Sequence, residues 1–261
     1  SDVCSSDLYH IPLMQRYGTK IVAGTTHNMK GEAPKKIPLF ETVKEAVEKT
    51  AVTLSMIMVP PMAVKDAVVE AIDAGIETLV LVTRDVPLQD LIKLNGYAKL
   101  KKVTLIWPNS SGLLSVGESK VGIMPDAIFK KGKVGIVAKS GTLSYEVVDL
   151  LTQSGIGQSM YVGIGRDPIS GTSIKDVLAT LEADPDTHHI VVLGEVHGVG
   201  EVEAAAYIKT MSKRVVYYLY GHRHLEKPSI YKGLLLDEQN RNYDEKYGVL
   251  VKAGAVVRSE E

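Results

Sequence analysis

The chain has 261 residues, a hydrophobic fraction of 45% and a formal net charge of −1. That length suggests about two domains, and the near balance of charge gives no electrostatic case for nucleic acid or a membrane surface as partner. The lone cysteine, Cys4, excludes a disulfide framework and a cysteine-based metal site and fits a reducing, cytoplasmic setting, while no apolar run approaches the roughly 20 residues of a membrane span.

Taken in order, the opening SDVCSSDL lacks the basic and apolar regions of a signal peptide and has no periodicity. It reads as foreign sequence, with the true N-terminus missing or replaced. Ile21–Gly24 is predicted as a short strand, followed by a Gly/Lys/Pro-rich loop from Thr25 to Lys36. Thr42 is placed to cap a helix over Val43–Lys49. Thr53–Pro60 is a buried-type strand, Ala63–Gly75 an amphipathic helix with a glycine stop, and Thr78–Thr83 a strand. Leu88–Leu100 is helical and Val103–Trp107 is a strand. Alternation at this spacing means a parallel α/β sheet.

Ser110–Lys131 has little periodicity and reads as a connector, with a hairpin expected across Val121–Met124. The boundaries drawn are 9–115 for the first domain, 116–132 for the connector and 133–261 for the second domain. Strands are predicted in the second domain over Val134–Val137, Ser159–Val162, Ile190–Gly194, Val215–Tyr220 and Ala255–Val257. Helices are predicted over Leu143–Ser154, Ile174–Ala183, Glu201–Met211 and Tyr243–Ala253.

In doubly wound sheets function gathers at the carboxyl ends of the strands. Four such ends are rich in Gly, hydroxyl and ionisable residues: Lys139-Ser140-Gly141-Thr142, the run from Gly163 through Arg166 to Thr172, Gly194-Glu195-Val196-His197-Gly198, and Gly221-His222-Arg223-His224. In the first, Ser140 or Thr142 can cap the following helix and Gly141 admits a ligand to the backbone, which makes an anion site where free N–H groups and the helix dipole converge. Each also has a plain account: a strand–turn–helix junction, an exposed loop carboxylate at Glu195, solvated histidines at His197, His222 and His224. There is no G-x-G-x-x-G after the first strand, no P-loop, no G-x-S-x-G and no zinc-ligand spacing, so hydride transfer and P-loop chemistry have little support.

Several segments stand in the order of a known family. They are YGTKIVAG at Tyr17, PLFETVKEAV at Pro38, EAIDAGI at Glu70, VGIMPDAIFKKGKVGIVAKSGTLSYE at Val121, VGIGRDPISGTSIKDVL at Val162, GEVHG and EAAAYIK around Glu195 and Ala204, and DEKYGVLVKAGAVVRS at Asp244. From Tyr17 onward the chain resembles the alpha subunits of succinyl-CoA synthetase and related acyl-CoA synthetases. The resemblance implies an N-terminally truncated, Rossmann-like CoA-binding domain and a C-terminal flavodoxin-like ligase domain. It implies acyl-CoA formation from a carboxylic acid through an acyl phosphate and a phosphohistidine on this subunit. ATP or GTP with magnesium would sit on a beta-type ATP-grasp partner subunit. Residue by residue, Ser140, Gly141 and Thr142 would hold phosphate, Glu195 would contact the active histidine, and Tyr145 would face the substrate. Lys30 and Val82-Thr83-Arg84 would contact CoA.

Three departures accompany the resemblance. The family's first strand and glycine-rich CoA loop are not matched ahead of Tyr9. Its Pro-Asn-Cys-Pro-Gly segment is Pro108-Asn109-Ser110-Ser111-Gly112 here, and Arg84 replaces an acidic residue. Its active histidine aligns with Tyr231, in Ile230-Tyr231-Lys232-Gly233. A tyrosyl phosphate is a stable ester and a phenol is protonated at neutral pH, so tyrosine is a poor stand-in for a phosphoryl relay. Either His222 or His224 takes the role, or the chain is a non-catalytic CoA- or acyl-CoA-binding homologue that has lost the phosphohistidine.

Overall fold

The computed structural model describes residues 5–25, 32–33, 37–167, 169–196, 200–221, 229–231, 234–236 and 243–259. Contacts divide the chain into one unit of Ser1–Met124 with Ile169–Gly171 and another of Pro125–Pro168 with Thr172–Glu261.

The first unit runs α1 (Ser5–Tyr17), β1 (Gly24–Thr25), β2 (Glu32–Ala33), β3 (Ile37–Phe40), α2 (Val43–Thr50), β4 (Leu54–Ile57), α3 (Val64–Asp73), β5 (Thr78–Leu81), α4 (Leu88–Lys101), β6 (Thr104–Ile106), β7 (Gly112–Ser115) and β8 (Ser119–Gly122). Strands β4, β5 and β6 form a parallel sheet with β5 central. Helix α3 buries Val64, Val68, Ala71 and Ile72, the i, i+4, i+7, i+8 stripe of a core-facing helix. These meet Leu91, Leu94 and Ala98 of α4 and Leu79 and Leu81 of β5 in one core. Each such aliphatic side chain contributes about 1.5–3 kcal/mol on burial. Trp107 closes this core and is fully buried. Gly171 lies against it: an added Cβ would stand 2.5 Å from the indole nitrogen, so only glycine fits.

Helix starts follow the predicted chemistry. Thr42 accepts a hydrogen bond from the Glu45 N–H at 3.2 Å, and α3 ends before Gly75, whose φ of +94° suits glycine. Two expectations are corrected, and one element was not foreseen. The opening residues form α1, despite lacking an apolar period; what holds it is docking on the hairpin that follows in space, with the Gly117 N–H donating to Tyr17 Oη at 2.9 Å. The strand expected at Ile21–Gly24 is reduced to Gly24–Thr25, which pairs in parallel with β3, a strand the sequence pattern did not mark. The hairpin lies earlier than Val121–Met124: β7 and β8 pair antiparallel around Val116-Gly117-Glu118. Gly117 takes a φ of +84° there, the left-handed position of a three-residue hairpin loop.

The second unit runs β9 (Lys131–Ala138), α5 (Gly141–Gln153), β10 (Gln158–Gly163), α6 (Ile174–Ala183), β11 (His189–Glu195), α7 (Gly200–Ile208), β12 (Arg214–Tyr220), β13 (Ser229–Tyr231), β14 (Leu234–Leu236), α8 (Tyr243–Lys252) and β15 (Val256–Arg258). Its five parallel strands stand in the order β10-β9-β11-β12-β15. Counted within the unit this is 2-1-3-4-5, the flavodoxin-like order of a doubly wound sheet. The order reverses between β9 and β11, so the crevice beyond their carboxyl ends is where a ligand site belongs. Helices α6, α7 and α8 pack side by side. Strands β13 and β14 form a short antiparallel hairpin with Tyr231 opposite Leu234.

Candidate functional site

Strand β9 buries Val134 and Ile136–Ala138 and then delivers its chain to the switch point. The Lys139 N–H donates to Leu193 O at 3.2 Å, which sets this turn beside the end of β11. Ser140 is the N-cap of α5: its backbone is extended and its hydroxyl accepts from the Leu143 N–H at 3.4 Å. Of the two hydroxyls the sequence offered, Ser140 is therefore the cap, and Thr142 lies in the first helical turn. By position, the N–H groups of Gly141 and Thr142 have no acceptor within the helix. Tyr145 is half-buried on the same helix. Replacing Ser140 with Ala is expected to cost about 1 kcal/mol of stability, read by urea unfolding.

Glu195 ends β11, and the expectation of an exposed loop carboxylate is corrected: its side chain is 5% exposed. Arg166 closes on it through Nη2 and Nε, each 3.2 Å from Oε2. The Tyr220 hydroxyl donates to the same oxygen at 3.4 Å, and the Arg166 guanidinium stands 5.9 Å over the Tyr220 ring. These residues come from three strand ends, β10, β11 and β12, all at one edge of the sheet.

Beneath them lies a second cluster. Glu201, in the first turn of α7, is fully buried. Its Oε1 accepts from Lys139 Nζ at 2.6 Å and from the Glu195 N–H at 3.3 Å, and its Oε2 is 3.5 Å from Lys246 Nζ. Lys246, on α8, also donates to Val196 O. A buried charge persists only where it is paired, and this cluster pairs each of its members. Arg166, Lys139 and Lys246 against Glu195 and Glu201 leave one net positive charge, which suits an anion at the crevice.

Burial pushes the Lys246 ammonium below its ordinary pKa; Glu201 opposes that fall and Lys139 adds to it. A lysine with a lowered pKa binds fewer protons folded than unfolded. Its penalty is therefore fullest below the folded pKa and disappears as pH climbs to the ordinary value of 10.5. Urea unfolding of Lys246→Met is expected to show a flatter rise of stability with pH on the alkaline side than the wild type does. Tyr217 is fully buried on β12, and its hydroxyl has no hydrogen-bond partner among the described residues. Burial first, then the Glu201, Tyr220 and Glu195 charges, push its phenol well above the ordinary value. Gly194 makes room for it, since a Cβ there would meet the Tyr217 ring at 2.5 Å.

In the first unit, Val82, Thr83 and Arg84 follow β5 at its carboxyl end. Thr83 Oγ1 donates to Val59 O at 2.7 Å. The Arg84 side chain is 79% exposed, with the Asp85 carboxylate 3.8 Å away. An open guanidinium at the end of a central parallel strand fits a phosphate-bearing group. Lys30, His197, His222 and His224 lie outside the described residues.

Of the predicted residues, the structure brings Ser140, Gly141, Thr142 and Glu195 to one edge of the second unit. Arg166, Glu201, Lys246 and Tyr217 were not given roles from sequence. Lys246 carried a signal: it stands four residues before Leu250 on α8, on the same face as that buried leucine. Glu201 looked like an ordinary acidic residue of a helix's first turn.

Residues 6–84 match the family model of a CoA binding domain, and residues 137–255 that of a CoA-ligase. The chain is 44% identical over 218 residues to the succinate–CoA ligase [ADP-forming] subunit alpha of Staphylococcus aureus, across 83% of this chain and 72% of that one. It is 45% identical over 216 residues to the subunit of the same name from Aquifex aeolicus, across 82% and 71%. Among solved structures, a dinucleotide-forming acetyl-coenzyme A synthetase 1 of Ca. Korarchaeum cryptofilum in its apo form matches with a TM-score of 0.78 at 17% identity, over 99% of this chain and 56% of that one. An ATP citrate lyase of Methanosaeta concilii in complex with (3S)-citryl-CoA matches with a TM-score of 0.77 at 20% identity, over 85% and 39%. This chain thus spans about half or less of those two, and at such identity they show the fold alone.

Proposed function

Since this chain belongs to the family of succinate–CoA ligase alpha subunits, the nucleoside-diphosphate-forming acid–CoA ligases, we propose that it joins a small carboxylic acid to CoA through an acyl phosphate and a phosphorylated enzyme. The observation that carries the reading is the buried Glu195 carboxylate, held by Arg166 and Tyr220 at the switch point beside the start of α5. In this reading the Gly141 and Thr142 amides and the dipole of α5 cradle the phosphoryl group. Glu195 stabilises the positive character that an imidazole takes on as a phosphoryl group arrives or leaves. Tyr145 borders the acid. The imidazole is that of His222 or His224, from the segment that follows β12.

CoA, when bound, supplies the thiol that becomes acylated. The residues proposed to hold it are Lys30 and the Val82-Thr83-Arg84 strand end, with Arg84 pairing a phosphate of the cofactor. The nucleotide, ATP or GTP with magnesium, is assigned to a beta-type ATP-grasp partner subunit. The boundaries proposed for the CoA-binding domain and the ligase domain are 9–115 and 133–261, with 116–132 connecting them.

One observation favours a second reading, a CoA- or acyl-CoA-binding homologue without catalysis: Tyr231, at the family's histidine position, belongs to strand β13 rather than to a glycine-rich loop. Reconstitution separates the two. The chain, mixed with a beta-type partner, CoA, magnesium and a panel of small carboxylic acids, is expected to form a thioester with release of nucleoside diphosphate. Saturable CoA binding with no thioester from any acid or nucleotide would support the second reading instead.

A further inference from the structure

Two strand ends and a helix meet at the Glu201 carboxylate. It takes the Lys139 ammonium at 2.6 Å from the turn that leads into α5, the Glu195 N–H at 3.3 Å from the end of β11, and the Lys246 ammonium at 3.5 Å from α8. The side chains of Glu201, Lys246 and Lys139 are 0%, 5% and 13% exposed. Water therefore cannot substitute for these contacts, and a buried carboxylate has to be matched by its neighbours. The carboxylate sits within the switch-point crevice without being presented to solvent, so it is placed to act on other residues.

We propose that Glu201 is the positioning residue of this site, fixing the Glu195 carboxylate relative to the phosphate cradle by binding the backbone of β11 and the Lys139 side chain with one oxygen. The proposal rests on the ligase reading given above for its purpose, though not for its geometry. Lys139 immediately precedes the Ser140 cap, and Glu195 carries both the anchored N–H and the acting carboxylate. A shift of Glu201 would therefore move both halves of the site together. Lys246 holds Glu201 from the opposite side and fastens to Val196 O, the residue after Glu195.

Two conservative variants test this without emptying the core. Glu201→Asp keeps the charge and withdraws the carboxylate by one methylene. Glu201→Gln keeps the reach and removes the charge. Amide hydrogen exchange is followed along β11 in the full chain. In Glu201→Asp the Glu195 amide is expected to exchange about tenfold faster while the Val191, Val192 and Leu193 amides keep their wild-type rates; in Glu201→Gln the Glu195 amide stays within about threefold of wild type. An unchanged Glu195 amide in Glu201→Asp, or an acceleration shared by all of β11, overturns the proposal. With the partner subunit and labelled ATP, Glu201→Asp is expected to slow phosphoryl transfer with CoA affinity unchanged, and a wild-type rate there also overturns it. If the wild-type chain accepts no phosphoryl group, the ligase reading fails, while the exchange rates still decide whether Glu201 positions Glu195.

Discussion

Glu195→Gln is expected to slow phosphoryl transfer to this chain by about a hundredfold, the scale seen when one preorganised electrostatic partner is removed from a buried site. The substitution keeps the size of the side chain and removes only its charge. It takes from the site the anion that Arg166 and Tyr220 hold in place, and it leaves the Arg166 guanidinium beside a neutral amide. Breaking a fully buried ion pair costs about 3–5 kcal/mol. Arg166 is 37% exposed and recovers hydration, so the stability loss here is expected nearer about 1–2 kcal/mol. Urea unfolding measures that loss and phosphoryl labelling measures the rate. A variant as fast as wild type would remove Glu195 from the chemistry and leave it a structural carboxylate.

The second large effect is steric. Gly194→Ala places a methyl group 2.5 Å from Cε1 and Oη of Tyr217. Tyr217 is fully buried in the unit's central core and its ring cannot swing aside without moving its neighbours. The expected loss is about 2 kcal/mol, in the range of overpacked cores. Because Gly194 precedes Glu195, the strain also falls on the site, and phosphoryl transfer is expected to drop with stability. Tyr217→Leu in the same chain should relieve the clash, so the double variant is expected to be more stable than the sum of the single losses predicts, with a coupling of about 1–2 kcal/mol. Strict additivity in thermal or urea unfolding would mean that the methyl group finds room elsewhere.

The second unit was the more legible of the two. Its sheet strands are rich in β-branched residues and α6 carries a clear apolar stripe, so the pattern placed Ile174–Ala183 at its observed bounds and the other predicted elements within a few residues, while strands β13 and β14 were not foreseen. Ser173 caps that helix in a box with Asp176, a pattern that can be read without coordinates. The first unit was harder where structure depends on partners. Helix α1 has no sustained apolar face and contains Pro12, and it is held by its contacts with β8. Strand β3 includes Pro38, which lowers any strand reading, yet it pairs on both sides. The hairpin was misplaced because its turn is marked by one glycine among charged and small residues, where Gly122 and Pro125 offered equal punctuation.

The site was legible by halves. Strand ends and a cap are local signals, and they pointed to Ser140–Thr142 and Glu195. What surrounds Glu195 is not local. Arg166 lies 29 residues before it, and Lys139 and Glu201 are 62 residues apart in sequence. No spacing rule joins them, because it is the strand order that brings those loops together. Lys246 shows the same limit from the other side: its position on the Leu250 face of α8 marks it as buried, but only the fold reveals that Glu201 is the reason a lysine can stand there.

The most direct test of the account is the chemical nature and position of the phosphoryl group. The chain is incubated with a beta-type partner and γ-labelled ATP or GTP, quenched, and divided between acid and base before peptide mapping. The expected label is lost in acid, stable in base and mapped to His222 or His224, and it is absent from the corresponding alanine variant. Label on Tyr231 that survives acid, or no covalent label from a chain that still binds CoA, would contradict it.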